Sequence, residues 1–97
     1  MWSTEEVEGL RRLLMERWDP IGVYHFSDDD EDREAYWDEY DSYMPAILSD
    51  LERGGDVEWL SQYLARRRTV DMGLLARPDL DRRAAEAIMS WNPQRAR

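Results

Sequence analysis

Four segments of the chain carry apolar residues at spacings of three and four, with proline or glycine at most of their boundaries. This spacing places apolar side chains along one face of an α-helix. No segment shows a convincing strand pattern. The 97 residues are enough for one domain but not for two. The sequence therefore predicts a single all-α domain over residues 1–97, a small bundle of about four helices.

The first helix has clear start and stop signals. Ser3 is suited to cap the helix, and Glu6 three residues later completes a capping box. Asp19 lies before Pro20, which disfavours the α-helical backbone and should end the helix there. The apolar face is predicted to hold Val7, Leu10, Leu13, Leu14 and Trp18. Residues 21–26 should then cross the surface of the core as an extended loop.

The second helix has an ambiguous start, because Pro45 lies inside its apolar pattern. Proline is tolerated in the first turn of a helix and costs about 3 kcal/mol deeper inside. Either Asp41 or Ser42 caps a helix that starts just before Pro45, or one longer helix is kinked there; a start near residues 38–42 is favoured. The pair Gly54-Gly55 should end this helix. Its apolar set is Tyr36, Tyr40, Tyr43, Met44, Ile47, Leu48 and Leu51.

Two further helices are predicted in the C-terminal half. The third should begin after an Asp56 cap and end at Gly73, with Val57, Leu60, Tyr63, Leu64 and Met72 facing inward. The fourth should follow Pro78, with Asp79 or Asp81 as its cap, and bury Leu80, Ala84, Ala85, Ile88 and Trp91. A frayed tail is expected over about residues 92–97.

Charge is distributed unevenly along the chain. Residues 1–60 hold eighteen acids and five arginines, a net charge of −13, whereas residues 61–97 hold four acids and eight arginines, a net charge of +4. An acidic loop is expected over about residues 27–35. Such a field steers a basic partner toward the acidic half and repels nucleic acid. Binding of nucleic acid is therefore not expected, although the arginines between residues 66 and 83 are candidates for a basic face.

The residues that usually carry chemistry are scarce. The chain has no cysteine, which excludes disulfides and thiolate metal sites. Its only histidine, His25, has no nucleophile motif beside it. Acids at positions 28, 30, 32 and 39 fall at the ligand spacing of a calcium loop, but Arg33 stands where that loop needs glycine. We expect no catalysis, no cofactor and no metal.

The longest uninterrupted runs of apolar residues contain only two or three residues. A bilayer-spanning helix needs about 20 apolar residues, so no membrane span is expected. The first residues, Met-Trp-Ser-Thr-Glu-Glu, lack the basic and apolar regions of a secretory signal. A cytoplasmic location is therefore predicted.

Three stretches of the chain together resemble the DUF1871-like family of small bacterial helical proteins of no established function. These are RWDPIGVYHF at 17–26, DEYDSYMPAILSDLERGG at 38–55 and YLARRRTVDMGL at 63–74. The resemblance implies a short helical domain, and some relatives resemble immunity genes beside toxins. The chain departs from the pattern in a longer acidic insertion at 27–35 and in an added helix beyond residue 75. The matching residues are Trp18, Asp19, Pro20, Gly22, Asp38, Glu39, Tyr40, Asp41, Tyr43, Pro45, Tyr63, Leu64, Met72, Gly73 and Leu74.

The leading functional hypothesis is an acidic protein-interaction module, in its sharpest form an immunity or antitoxin-like inhibitor of a basic protein. It depends on the net charge of −8 over residues 28–41, where aromatic residues interleave with acids. The alternative is a non-catalytic structural or homodimeric protein whose acidic surface is merely solvated, with Trp2, Trp37 or Trp59 at the interface between copies. The predicted partner-binding residues are Asp28, Asp29, Asp30, Glu31, Asp32, Tyr36, Trp37 and Tyr40.

Overall fold

The computed structural model describes residues 2–22 and 37–94, and within these ranges it contains four helices and no strand. The all-α prediction is confirmed. None of these helices has the length and apolar character needed to cross a bilayer. In chain order, the helices are α1 (Thr4–Leu13), α2 (Met44–Glu52), α3 (Val57–Arg66) and α4 (Pro78–Trp91). The predicted acidic loop at 27–35 lies outside the described residues.

Helix α1 begins and ends where the sequence predicts. The Oγ of Ser3 accepts a hydrogen bond from the Glu6 amide at 3.0 Å, and the Glu6 carboxylate accepts one from the Ser3 amide at 2.9 Å. A π-helical turn over Leu14–Trp18 continues the helix. Asp19 then adopts a left-handed backbone with φ of 34°, so the chain leaves the helix directly before Pro20.

Helix α2 begins at Met44 and its capping residue, Tyr43, makes no side-chain hydrogen bond, so the predicted start near residues 38–42 with an Asp41 or Ser42 cap is wrong. Pro45 does not kink the helix. It lies in the first turn, after a 3-10 turn over Asp41–Tyr43. There its nitrogen needs no partner, because the first amides of a helix make no intrahelical hydrogen bonds. The predicted glycine stop is confirmed, since Gly54 and Gly55 both have positive φ values.

Helix α3 has the predicted Asp56 cap, whose side chain accepts a hydrogen bond from the Glu58 amide at 2.9 Å. A π-helical turn over Arg67–Asp71 continues α3, and Gly73 follows it with φ of +66°. The left-handed backbone there lets the Leu74 amide return to the Arg68 carbonyl at 3.0 Å. The predicted end of the third helix is therefore confirmed.

The predicted cap of the fourth helix is wrong. Helix α4 begins at Pro78 itself, after Arg77, and has no side-chain cap. Proline has the backbone angle of a first helical residue and lacks the amide that a cap would satisfy. Asp79 lies inside the first turn, and Asp81 is buried with 1% of its surface exposed.

The start of the predicted frayed tail is packed against the rest of the protein. Helix α4 ends at Trp91, and Asn92 is 7% exposed. The Oδ1 atom of Asn92 accepts a hydrogen bond from the Gln94 amide at 3.1 Å. Residues 95–97 lie outside the described residues, so the rest of the tail prediction stays a prediction.

The core forms where α3 packs along α4 and where α4 packs on the C-terminal turn of α1. Predicted apolar faces of all four helices contribute to it, and Met15 joins them although its position was not predicted to be inward. The buried apolar residues are Leu10, Leu14, Met15, Trp18, Tyr40, Met44, Ile47, Leu51, Leu60, Leu64, Ala84, Ala85 and Ile88.

Helices α1 and α3 both end in a π-helical turn, and both carry buried residues four positions apart. An α-helix completes a turn in 3.6 residues, so side chains four apart drift around its axis. A π-helical turn has hydrogen bonds between residues five apart and holds more residues per turn, which reduces the drift. The inward sets are Leu10, Leu14 and Trp18 on α1, and Leu60, Leu64 and Arg68 on α3.

The last residue of each inward set meets Asp81 of α4. The Oδ1 atom of Asp81 accepts a hydrogen bond from Trp18 Nε1 at 2.9 Å and another from Arg68 Nε at 3.0 Å. All three residues are buried. One carboxylate oxygen thus joins the C-terminal turns of α1 and α3 to α4, and we call this arrangement the Asp81 junction.

A second contact joins the beginning of the described chain to the end of α4. The rings of Trp2 and Trp91 stack, with centroids 6.2 Å apart and planes 13° apart. Gly9 of α1 allows this approach, because a Cβ atom there would lie 2.7 Å from Trp91 Nε1. Glycine at this position therefore allows the packing of Trp91, although glycine has a low intrinsic helix propensity.

Replacing Asp81 with Asn should lower the free energy of unfolding by about 3–5 kcal/mol, because Arg68 would keep a buried charge with no counter-ion. Urea denaturation followed by circular dichroism measures this change. Asp79→Asn is the matched control, since Asp79 is exposed at the same end of α4, and we expect about 0.5 kcal/mol or less. A loss below 1 kcal/mol for Asp81→Asn would contradict the role of the junction.

Candidate interaction surfaces

The structure describes two of the eight residues predicted to bind a partner. Asp28, Asp29, Asp30, Glu31, Asp32 and Tyr36 lie outside the described residues. Trp37 and Tyr40 are described, and they lie in different environments. Trp37 is half-buried at the surface of α1, whereas Tyr40 is in the core.

The prediction that Tyr40 contacts a partner is wrong. Its side chain is 2% exposed and packs edge-on against Trp18, with ring centroids 5.3 Å apart. The Tyr40 hydroxyl donates a hydrogen bond to Asp19 Oδ1 at 2.6 Å and accepts one from the Ile21 amide at 3.2 Å. Because these partners satisfy the hydroxyl, the whole residue can be buried. The sequence does not show this pairing, since Asp19 and Tyr40 are far apart along the chain.

Burial also changes the acid–base behaviour of Tyr40. It raises the pKa of the Tyr40 hydroxyl well above its ordinary value of about 10, and the hydrogen bond to the Asp19 carboxylate raises it further. Burial is also the main cause of the raised pKa values of Tyr43 and Tyr63. All three hydroxyls therefore stay neutral in the folded protein at pH values where an exposed tyrosine begins to ionise.

Trp37 lies among acidic side chains on the surface of α1. Its Nε1 atom is 3.5 Å from Glu8 Oε2, and the Arg12 guanidinium lies over the ring at 5.9 Å from its centroid. Glu8 and the neighbouring Asp38 and Glu39 are exposed. We call Glu8, Trp37, Asp38 and Glu39 the acidic surface.

Arg11 does not cancel the charge of the acidic surface. Its Nε and Nη2 atoms bond both oxygens of Asp41, at 2.9 and 2.8 Å, and its Nη1 atom pairs with Glu8. The hydrogen bond to Asp41 is the main cause of the raised pKa of Arg11. One arginine is therefore shared by two carboxylates, and the exposed Asp38 and Glu39 make no ion pair within the described residues.

A second surface lies on the outer side of α3. The Trp59 and Tyr63 rings stack with centroids 5.0 Å apart and planes 9° apart, and the Arg67 guanidinium lies 5.2 Å from the Tyr63 centroid. A shallow groove of about 190 Å³ runs along these side chains, Gln62 and Arg66. Val70 is one turn further on and is 69% exposed. We call Trp59, Gln62, Tyr63, Arg66, Arg67 and Val70 the Trp59 face.

The sequence offered Trp59 for an interface between copies but did not show the rest of the Trp59 face, because Tyr63 was assigned to the core. Tyr63 is half-buried: its hydroxyl donates to the Tyr43 carbonyl at 3.2 Å while its ring lines the groove. The available signal was the spacing of Trp59 and Tyr63, one helical turn apart and out of phase with Leu60 and Leu64. Trp, Tyr and Arg are the residue types that most often dominate binding energy at protein interfaces.

The arginine run at 66–68 does not form a continuous basic surface. Arg68 points into the core at the Asp81 junction, and Arg67 pairs with Asp71 at 3.2 Å. Within residues 2–22 and 37–94, Arg66 is exposed and makes no ion pair. Arg77 pairs with Asp79, and Arg82 pairs with Glu58 and Glu86. Arg83, also considered for a basic face, is exposed and makes no ion pair within the described residues.

The described part of the chain holds no group of three or more His, Asp or Glu side chains placed to bind a metal ion. His25 and three of the four calcium-loop positions lie outside it. The geometry therefore defines an all-helical protein with an acidic surface and an aromatic surface. No family model, curated protein or solved structure matches the chain, so the resemblance to the DUF1871-like family stays a prediction.

Replacing Tyr40 with Phe should lower the free energy of unfolding at pH 7 by about 1–3 kcal/mol, because the Asp19 carboxylate loses a buried donor. The variant should also respond less to alkali. Because folding raises the pKa of Tyr40, its neutral hydroxyl contributes fully to stability below pH 10. As the pH rises further, the free energy of unfolding falls by up to about 1.4 kcal/mol per pH unit. Urea denaturation between pH 7 and 11.5 measures both effects. An unchanged alkaline slope in the variant would contradict the role of Tyr40.

Proposed function

We propose that the protein is a non-catalytic interaction module that uses its acidic surface to bind a basic surface of another protein. The observation that supports this best is the placement of Trp37, a large aromatic side chain held at the surface between Glu8 and Arg12. Trp37 is half-buried, and the part of such an aromatic side chain that reaches the surface can anchor a protein interface by filling a pocket on the partner. The surrounding carboxylates provide charge complementarity, which favours a basic partner over other surfaces.

The contacts of Trp37 limit the entropy that this side chain would lose when a partner binds. A side chain that already has neighbours loses less rotational freedom when it enters an interface. The Glu8 contact and the Arg12 guanidinium restrict the indole before any partner arrives. The charge of residues 1–60, a net of −13, acts over a longer range and raises the rate of encounter with a basic protein. Affinity is then expected to depend on Trp37, and the association rate on the acids.

In its sharpest form, the proposal is an immunity or antitoxin-like inhibitor of a nuclease. A nuclease must expose basic residues to bind the phosphates of its substrate. A protein that presents many carboxylates around an aromatic anchor has the charge to cover such a surface. The support for this form is the charge complementarity between the acidic surface and such a partner.

The test captures partners of the source organism on three immobilised proteins: the wild type, a Trp37→Ala/Asp38→Asn/Glu39→Gln variant, and a Glu52→Gln/Glu86→Gln control. The two variants lose comparable numbers of exposed acids, but the control loses them away from the acidic surface. We expect a basic protein that binds the wild type and the control, and that elutes at about 0.5 M salt because the charges are then screened. Titration calorimetry with the purified partner should show at least tenfold weaker binding to the Trp37 variant.

A second variant, in which Asp28, Asp29, Asp30 and Asp32 become Asn and Glu31 becomes Gln, tests the sequence next to the acidic surface. Its association rate should fall and become less sensitive to salt. The nuclease form predicts that one equivalent of the wild-type protein stops substrate cleavage by the captured partner. Equal binding to the Trp37 variant and the wild type, or a partner with no basic surface, would overturn the proposal.

A further inference from the structure

Two neighbouring arginines of α1 reach the acidic surface, and they are held by contacts of different strength. Arg11 bonds both oxygens of Asp41, at 2.9 and 2.8 Å, and its side chain is 22% exposed. Arg12 lies 5.9 Å from the centroid of the Trp37 ring, near the outer limit of about 6 Å for a cation–π contact. Its side chain is 67% exposed, and its pair with Glu16 is 3.9 Å long. Arg12 is therefore a loosely held guanidinium on the ring of Trp37.

We propose that Arg12 occupies the place of an arginine of the partner protein, which displaces it from the Trp37 ring on binding. Because it concerns the same acidic surface, this role depends on the proposed function. The side chain recognised is an exposed arginine, whose guanidinium stacks on the indole while the carboxylates of the acidic surface supply the opposite charge. Arg12 is then an internal competitor that lowers the affinity for the partner.

The chemistry of the surface favours arginine over lysine. A guanidinium is planar and weakly hydrated, so it stacks on an aromatic face, whereas an ammonium group holds its water more strongly. Among aromatic residues, tryptophan attracts cations best. The Glu8 carboxylate lies 3.5 Å from Trp37 Nε1, at the edge of the ring. A guanidinium on the ring still has N–H groups to donate to carboxylates, so one arginine can use both parts of the surface.

Charge complementarity supports a cationic occupant. Asp38 and Glu39 are exposed and make no ion pair within the described residues. Glu8 pairs with Arg11, which Asp41 also holds. A further guanidinium therefore brings positive charge to a surface that has an excess of carboxylates. An apolar side chain would instead take these carboxylates out of water without a partner, which is costly.

The displacement of Arg12 leaves no buried charge behind. Most of its side chain is already in solvent, and Glu16 lies one turn further along α1, where it can keep the guanidinium paired. The contact of Glu8 with the indole does not involve Arg12, so the ring keeps its orientation during the exchange. The partner therefore replaces a weak contact and does not have to break a buried ion pair.

The test measures selectivity between two probe peptides of equal charge. One is penta-lysine, and the other has a central arginine between two pairs of lysines. An NMR titration at about 20 mM salt, where screening is weak, follows the backbone amides of Glu8, Asp38 and Glu39. The wild type should bind the arginine peptide about two- to fivefold more tightly, the factor that an exposed cation–π contact supplies. The δ-methylene protons of the peptide's arginine should shift upfield, because the aromatic ring shields them.

Three variants separate the roles of the ring, the competitor and the charge. Arg12→Gln removes the competitor and should raise the preference for the arginine peptide about twofold or more. Arg17→Gln removes the same charge from an exposed position in the turn that continues α1. It should tighten both peptides alike and leave the preference unchanged. Trp37→Leu should abolish the preference, and circular dichroism confirms that each variant is folded.

Equal affinities for the two peptides, in both the wild type and Arg12→Gln, would overturn the arginine role, as would a preference that survives Trp37→Leu. The same preference in Arg12→Gln and Arg17→Gln would overturn the competitor role. Equal affinities that Asp38→Asn/Glu39→Gln weakens about threefold or more would reject the choice of arginine and support the acidic surface as a docking site. This failure is therefore distinct from that of the proposed function, which loses its support only if neither peptide binds.

Discussion

The buried carboxylate of Asp81 joins three of the four helices of the bundle. Trp18 and Arg68 both donate to one of its oxygens, so the ends of α1 and α3 are fixed against α4. A buried charge is tolerated only with a counter-ion and hydrogen bonds, and here Asp81 and its two partners come from three different helices. Another packing of the bundle would leave Arg68 or Asp81 without a partner. The junction therefore selects one arrangement among the several that amphipathic helices allow.

Local sequence signals were sufficient for most of the fold. The Ser3 capping box, the Asp56 cap, the glycine stops and the helical spacing act over a few residues, and the structure confirms each. The errors concern residues whose partners are distant in sequence. Asp81 was assigned as a cap because an acid after proline often has that role, and its contacts with Trp18 and Arg68 cannot be recognised locally. Tyr40 was correctly placed in the apolar set of the second helix but was also counted among the partner-binding residues, because the Asp19 carboxylate that accepts from its hydroxyl is distant in sequence.

The two surfaces differ in what they present and in where their charge lies. The acidic surface places one aromatic side chain among carboxylates on α1, in the half of the chain that carries the negative charge. The Trp59 face places two stacked aromatic rings beside arginines on α3. The sequence indicated the first through its composition, whereas the second depends on which side of α3 faces inward. Helix α3 packs against α4 with Trp59 on its solvent-facing side. Which face of a helix is buried can be decided only when the neighbouring helix is known.

The contact between Trp2 and Trp91 bears on how the chain folds. In most small helical bundles, the helices that pack together are adjacent in sequence. Such bundles fold fast, because short loops close at little entropic cost. Here the first helix packs on the last one, and Trp18 reaches a residue 63 positions away. During synthesis, α1 must leave the ribosome long before α4 exists. Its apolar face then has no native neighbour, so the nascent chain depends on its abundant negative charge to avoid aggregation.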